Sequence, residues 1–155
     1  MPVKILMVCL GNICRSPLAE GILQSKVDTS AVYVDSAGTG GYHIGNPPDK
    51  RSIAVASKYG LDISHQRCRQ VTREDFENFD IIYAMDRNNY LSLIHMAENE
   101  GQISKVRLLL EEVSIGTSEV PDPYYGGKDG FEKIFTMIND ACDAVALRLK
   151  TRNIN

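Results

Sequence analysis

The chain has 155 residues, of which 43% are hydrophobic and 24% charged, with a formal net charge of −3. That length suits one domain with a real core, and the acidic balance leaves no basic footprint for nucleic acid. No apolar stretch approaches the roughly 18 residues of a membrane span, and Met1-Pro2-Val3 leads straight into an apolar run, so neither a signal peptide nor an anchor is expected.

The elements alternate. Val3 to Val8 is short, apolar and partly β-branched, which predicts a buried strand. Ser16-Pro17 then signals a helix start, with Ser as N-cap and Pro at the first helical position, and the helix continues through Leu18, Ala19, Ile22 and Leu23. Val32-Tyr33-Val34-Asp35 reads as a second strand. Asp49 to Tyr59 reads as a helix stopped by Gly60. A short helix is expected over Thr72 to Phe76 and a third strand over Asp80 to Met85. Asp86 caps a helix running through Tyr90, Leu93, Ile94 and Met96. Lys105 to Leu110 is the fourth strand, Glu111 to Lys128 is loop-rich, and Asp129 to Lys150 closes the chain as a helix. Strands alternating with helices predict an α/β fold, a parallel sheet covered by helices on both faces. No repeat, linker or low-complexity segment interrupts it, so residues 1–155 read as a single domain.

The chemistry concentrates at Cys9-Leu10-Gly11-Asn12-Ile13-Cys14-Arg15-Ser16, between the first strand and the first helix. A loop at the positive end of a helix can turn several backbone N–H groups onto one anion. Gly11 permits the backbone shape such a nest needs. Arg15 adds a planar fork matched to two phosphoryl oxygens. The same field favours the thiolate form of Cys9, the form that attacks, and Ser16 is placed to donate to it. Asp122 is the candidate acid. It lies in Val120-Pro121-Asp122-Pro123-Tyr124-Tyr125, where flanking prolines restrict the backbone. In a parallel sheet the loops after the first and fourth strands open at the same edge, so Cys9 and Asp122 are expected to meet.

Four cysteines do not make a disulfide framework here, and with no Cys-x-x-Cys and three histidines no metal site or cofactor is expected. Cys142 continues the spacing Phe135, Ile138, Val145, Leu149 and reads as core. Cys68, in the polar run His65 to Gln70, suggests no role. Cys14 shares the loop with Cys9, and its spacing suggests a disulfide that would trap oxidised Cys9. A reactive thiolate needs a reducing compartment, hence a cytoplasmic location.

The run from Val8 to Glu20 and the run Asp122-Pro123-Tyr124-Tyr125 resemble the low-molecular-weight protein tyrosine phosphatases. Asp35 to Thr39 and His65 to Gln70 also fit, and the resemblance covers essentially the whole chain. It implies a three-layer α/β fold with a four-stranded parallel sheet in the order 2-1-3-4. It also implies metal-independent hydrolysis of phosphotyrosine or small aryl phosphates through a phosphocysteine. Cys9 would be the nucleophile, Arg15 the phosphate clamp, Ser16 the thiolate partner and Asp122 the general acid. Leu10, Gly11, Asn12, Ile13 and Cys14 would complete the phosphate cradle. Asn12, Ser36 and His65 would form the hydrogen-bond network that holds it. The implied partners are a phosphotyrosine protein and a cognate tyrosine kinase, with no nucleic acid or membrane.

Tyr42, Tyr124 and Tyr125 are expected to wall the site and favour a flat ring. The family commonly carries tryptophan at the position of Tyr42, and this chain has no Trp. Ile13 offers an apolar surface where related phosphoarginine phosphatases tend to carry threonine, which tilts the reading toward phosphotyrosine and leaves phosphoarginine open. An arsenate reductase would need a second cysteine near Cys68. A non-catalytic phosphotyrosine-binding module would not need Cys9, Arg15 and Asp122 together.

Overall fold

The computed structural model describes residues 2–123 and 128–151. Strand β1 (Val3–Cys9) is followed by helix α1 (Arg15–Gln24), strand β2 (Val32–Gly38) and helix α2 (Lys50–Lys58). A short helix α3 (Asp75–Asn78) precedes strand β3 (Ile81–Ala84) and helix α4 (Arg87–Met96). Helix α5 (Glu100–Ile103), strand β4 (Val106–Leu108) and a 3-10 turn (Leu109–Glu112) lead to the long helix α6 (Lys128–Lys150). All strand pairs are parallel and the sheet order is β2-β1-β3-β4, as the resemblance implied.

Central strand β1 is buried from Ile5 onward because both faces are covered, which is why its sequence is an unbroken apolar run rather than an alternation. Ile5 and Met7 face a core built with Leu18 and Ile22 of α1, Val55 and Ala56 of α2, and Phe131, Ile134, Ile138 and Cys142 of α6. Leu6 and Val8 face the opposite layer, with Phe76 of α3 and Leu93 of α4. Each fully buried large apolar side chain stabilises the fold by about 1.5–3 kcal/mol. The chain leaves β1 for β2 on one side and later returns to β3 on the other. The carboxyl end of β1 is therefore a switch point, where a crevice opens between diverging loops.

Local differences from expectation have local causes. Helix α1 begins at Arg15 with Cys14 as its N-cap, so Ser16 is not the cap, and its hydroxyl turns toward Cys9 instead. β2 extends to Gly38 because it pairs with β1 along its full length. β4 stops at Leu108 where the chain tightens into the 3-10 turn. The unforeseen α5 is one turn long, capped by Asn99, whose side chain accepts from Gln102 N. Asp86 caps α4 as expected, accepting from Asn89 N, and Asp49, read as the first helical residue, is instead the N-cap of α2, accepting from Arg51 N. Among the described residues, no helix is long and apolar enough to cross a membrane.

Candidate active site

The loop after β1 is held from outside. Cys9 O accepts from Thr39 N at 2.9 Å and Leu10 O from Gly40 N at 2.8 Å. Ile13 O accepts from Asp49 N at 2.8 Å. Asn12 O takes the Cys68 thiol at 2.8 Å, and Cys14 O takes the Ser52 hydroxyl at 3.2 Å. Five carbonyls drawn outward leave the loop's N–H groups to turn inward. Among the described residues, no acceptor meets the N–H groups of residues 11–14. The result is a ring of donors at the head of α1, a nest suited to a tetrahedral oxyanion.

Asn12 sits at φ 58, a left-handed conformation that costs an L-residue about 1–2 kcal/mol. Its side chain secures that shape. Nδ2 donates to Ser16 Oγ at 2.8 Å and to Ser36 Oγ at 2.9 Å, while Oδ1 accepts from Arg69 N at 3.0 Å. Ser36 Oγ in turn donates to Glu20 Oε1 at 2.6 Å. Ser16 Oγ lies 3.0 Å from Cys9 Sγ, and donates to it when the sulfur is a thiolate. The close approach of β2 to this loop requires Gly38. A Cβ there would stand 2.7 Å from Leu10 O and 3.1 Å from Asn12 N.

Arg15 is 3% exposed and fixed from behind. Nη1 donates to Asp86 Oδ2 at 2.6 Å and to Val120 O at 3.0 Å. Asp86 does this while its other oxygen caps α4 through Asn89 N at 2.8 Å. Asp122 Oδ2 stands 3.9 Å from Arg15 Nη2, with its side chain 42% exposed at the mouth. Burial by itself would lower the guanidinium's pKa. The Cys9 sulfur, Asp86 and Asp122 more than offset it, and the net direction is up. Arg15 therefore stays charged in a nearly dry setting.

Cys9, Arg15 and Asp122 meet around one cleft of about 420 Å³, lined also by Leu10, Gly11, Ile13, Cys14, Tyr42 and His43. Tyr42 stands at its rim, 74% exposed. Tyr124 and Tyr125, expected as further walls, lie outside the described residues. His43 was not foreseen. It packs over Gly11, where a Cβ would come within 3.2 Å of its Cδ2.

His65 does not join the supporting network. It lies exposed near Asp62, and the residues that reach the loop come later in the same segment. Cys68 offers its thiol and Arg69 its N–H to Asn12, and the Gln70 side chain donates to Thr39 O at 3.2 Å. Arg69 is itself anchored by Asp35 and, through two nitrogens, by Asp75. The buried carboxylates Glu20 and Asp75 and the anchor Asp86 left no local signal in the sequence beyond the capping position of Asp86.

All four cysteines are free and buried. Burial pushes the Cys14 thiol up to about 12 and Cys68 up to about 11, with the Cys9 charge adding to both. Cys142 lies in the core against α1, as its spacing implied. Among the described residues no cluster of His, Cys, Asp or Glu is arranged to hold a metal.

A sequence-family model described as low molecular weight phosphotyrosine protein phosphatase matches residues 4–154. The low molecular weight phosphotyrosine protein phosphatase of Schizosaccharomyces pombe is 42% identical over 144 residues, spanning 89% of this chain and 91% of that protein. The human protein of the same description is 38% identical over 151 residues, spanning 91% of this chain and 92% of its own length. A crystal structure of a protein tyrosine phosphatase from Entamoeba histolytica, with Hepes in the active site, superposes with a TM-score of 0.93 at 38% identity. That superposition covers 98% of this chain and 99% of the other.

Proposed function

This chain belongs to the low molecular weight phosphotyrosine protein phosphatase family, and from that membership we propose that the cleft at Cys9 hydrolyses phosphotyrosine and small aryl phosphates in two steps through a phosphocysteine. The observation that carries this reading is the outward pinning of the loop's carbonyls around Cys9, with a buried Arg15 beside it. The phosphoryl oxygens would sit in the N–H ring of residues 11–14, with Arg15 gripping two of them. The Cys9 thiolate attacks phosphorus, the S–P bond forms and the P–O bond to the ring breaks. Asp122, at the mouth, gives its proton to the departing phenolate oxygen. In the second step the Asp122 carboxylate takes a proton from water, whose oxygen attacks phosphorus. The S–P bond breaks and the thiolate returns. Leu10 and Asn12 shape the cradle, Ser16 donates to the sulfur, and Ser36 braces Asn12.

Charge development on the transferring phosphoryl group is what such a ring of fixed donors stabilises best. Ile13 and Tyr42 present apolar and aromatic surface to the incoming ring, which supports phosphotyrosine over phosphoarginine. Residues 1–155 act as one domain in this reading. A reducing compartment, the cytoplasm, keeps its thiols in the state the reaction needs. There a tyrosine kinase would supply the substrate. Cys14, in the same loop, would capture an oxidised Cys9 as a disulfide and protect it from over-oxidation.

Initial rates on phosphotyrosine, phosphoserine and phosphoarginine peptides, with arsenate reduction in parallel, test the reading. Phosphotyrosine should be fastest, and a chelator should change nothing. Cys9→Ser should bind phosphate and turn over no substrate. Turnover by that variant would overturn the mechanism.

A further inference from the structure

The side-chain amide of Asn12 has one workable orientation, and two groups enforce it. Its Oδ1 faces the N–H of Arg69 at 3.0 Å, a group that only donates. Its Nδ2 gives one hydrogen to Ser16 Oγ and the other to Ser36 Oγ. The Ser36 hydrogen is already committed to Glu20 Oε1 at 2.6 Å. A carboxylate only accepts. With Glu20 ionised, the Ser36 oxygen must therefore face a donor, and Asn12 must present its Nδ2. Ser16 then receives a hydrogen from Asn12 and has its own hydrogen left for Cys9 Sγ, 3.0 Å away. If the amide turned over, Oδ1 would draw the Ser16 hydrogen away from the sulfur.

We propose that Glu20 is a positioning residue for the nucleophile: its carboxylate fixes the donor direction of the Ser36–Asn12–Ser16 chain and keeps the Ser16 hydrogen bond on Cys9. The proposal rests on the reading of Cys9 as nucleophile and adds a group that does not line the cleft. Glu20 lies on α1, 8% exposed. From β2 it is faced by Asp35 and Tyr33, and from the segment after α2 by Arg69. On its own helix, Gln24 Nε2 donates to Oε2 at 3.3 Å. Asp35 opposes the charge and Arg69 favours it, though Arg69 is already shared with Asp35 and Asp75. Burial dominates these effects and pushes Glu20 up to about 7. The carboxyl therefore changes charge near neutrality. Once protonated it has a hydrogen to offer the Ser36 oxygen, and of the two groups that set the direction of the chain only the Arg69 N–H remains.

The test follows kcat/KM on p-nitrophenyl phosphate, and the rate of Cys9 alkylation by iodoacetate, across neutral pH. Wild type is compared with Glu20→Gln and Ser36→Ala. Glutamine keeps an oxygen for the Ser36 hydrogen but carries no charge. The ratio of wild type to Glu20→Gln should rise about threefold or more through pH ~7, since a charge-assisted bond is roughly twice as strong as a neutral one. Alkylation should show the same inflection in wild type alone. If Glu20→Gln does not fold, Ser36→Ala carries the test. It disconnects the carboxyl, so its ratio to wild type must show the inflection too. A ratio that is flat with pH, or an inflection that survives in Ser36→Ala, overturns the proposal while leaving the phosphatase reading intact. A wild type without aryl phosphatase activity overturns both.

Discussion

Gly38→Ala probes how tightly the second strand holds the phosphate loop. The added Cβ would stand 2.7 Å from Leu10 O, 3.0 Å from Gly40 O and 3.1 Å from Asn12 N. All three are backbone atoms, so no side chain can swing aside. Restoring ordinary contact at 3.4 Å requires the loop and β2 to part by about 0.7 Å at Leu10. Overpacking of this kind costs roughly 1–3 kcal/mol of stability. The larger effect is on chemistry, because a shift near 1 Å at a reacting centre costs on the order of 10²-fold in rate. Urea unfolding, kcat on an aryl phosphate and competitive inhibition by inorganic phosphate should all be measured. The variant should fold with a modest stability loss, a kcat lower by roughly 30- to 100-fold and weaker phosphate inhibition. Gly60→Ala is the control. Gly60 has φ +83 with nothing within 4 Å of an added Cβ, so only backbone strain of about 1 kcal/mol is expected, and activity should be unchanged. A folded Gly38→Ala enzyme with wild-type kcat and phosphate affinity would refute the claim that β2 sets the shape of the cradle.

The raised pKa of Glu20 makes stability depend on pH. Its folded value of about 7 lies above the ordinary glutamate value of 4.5, so the folded state holds the proton longer than the unfolded chain does. Stability should therefore fall as pH rises from about 4.5 to 7, by up to roughly 3 kcal/mol from this group, and Glu20→Gln should remove that part of the slope in urea titrations. Asp86→Asn keeps a side chain able to cap α4 but takes the charge from behind Arg15, and should lower kcat/KM by roughly 10- to 100-fold with weaker phosphate binding. Unchanged phosphate affinity would show that Val120 O alone holds the guanidinium. Asp122→Ala should lose far more on phosphotyrosine peptides than on substrates with acidic leaving groups, since only the former need the proton; equal losses would argue against the acid role. After mild peroxide, reductant should restore wild type but not Cys14→Ala, and complete recovery of the variant would remove Cys14 from redox protection.

The core of the site was legible because its parts are neighbours in the chain. A strand, a loop with Cys9 and Arg15, and a helix start lie within residues 3–17, and local hydrogen bonding and apolar pattern specify them. Asp122 could be placed because parallel strands send their loops to one edge. Glu20, by contrast, reads as an ordinary polar residue of α1. Only the pairing of β1 with β2 brings Ser36 beneath Asn12 and in reach of that carboxyl. Asp86 is recognisable as a helix cap, but its grip on Arg15 spans 71 positions and depends on β3 lying beside β1. The resemblance implies a tie to the loop through His65, yet the structure makes that tie through the Cys68 thiol and the Arg69 N–H of the same segment, residues the sequence did not single out.

The sequence alone determined the alternating elements and the loop that sets Cys9 and Arg15 between the first strand and the first helix. Each of these follows from backbone geometry over a few consecutive residues. The tertiary structure decided what holds that loop in a left-handed turn at Asn12, which carboxylates hold Arg15 and Ser36, and which rim residues face the cleft. Those contacts join positions dozens of residues apart, and they form only after the sheet order has chosen which strands lie side by side.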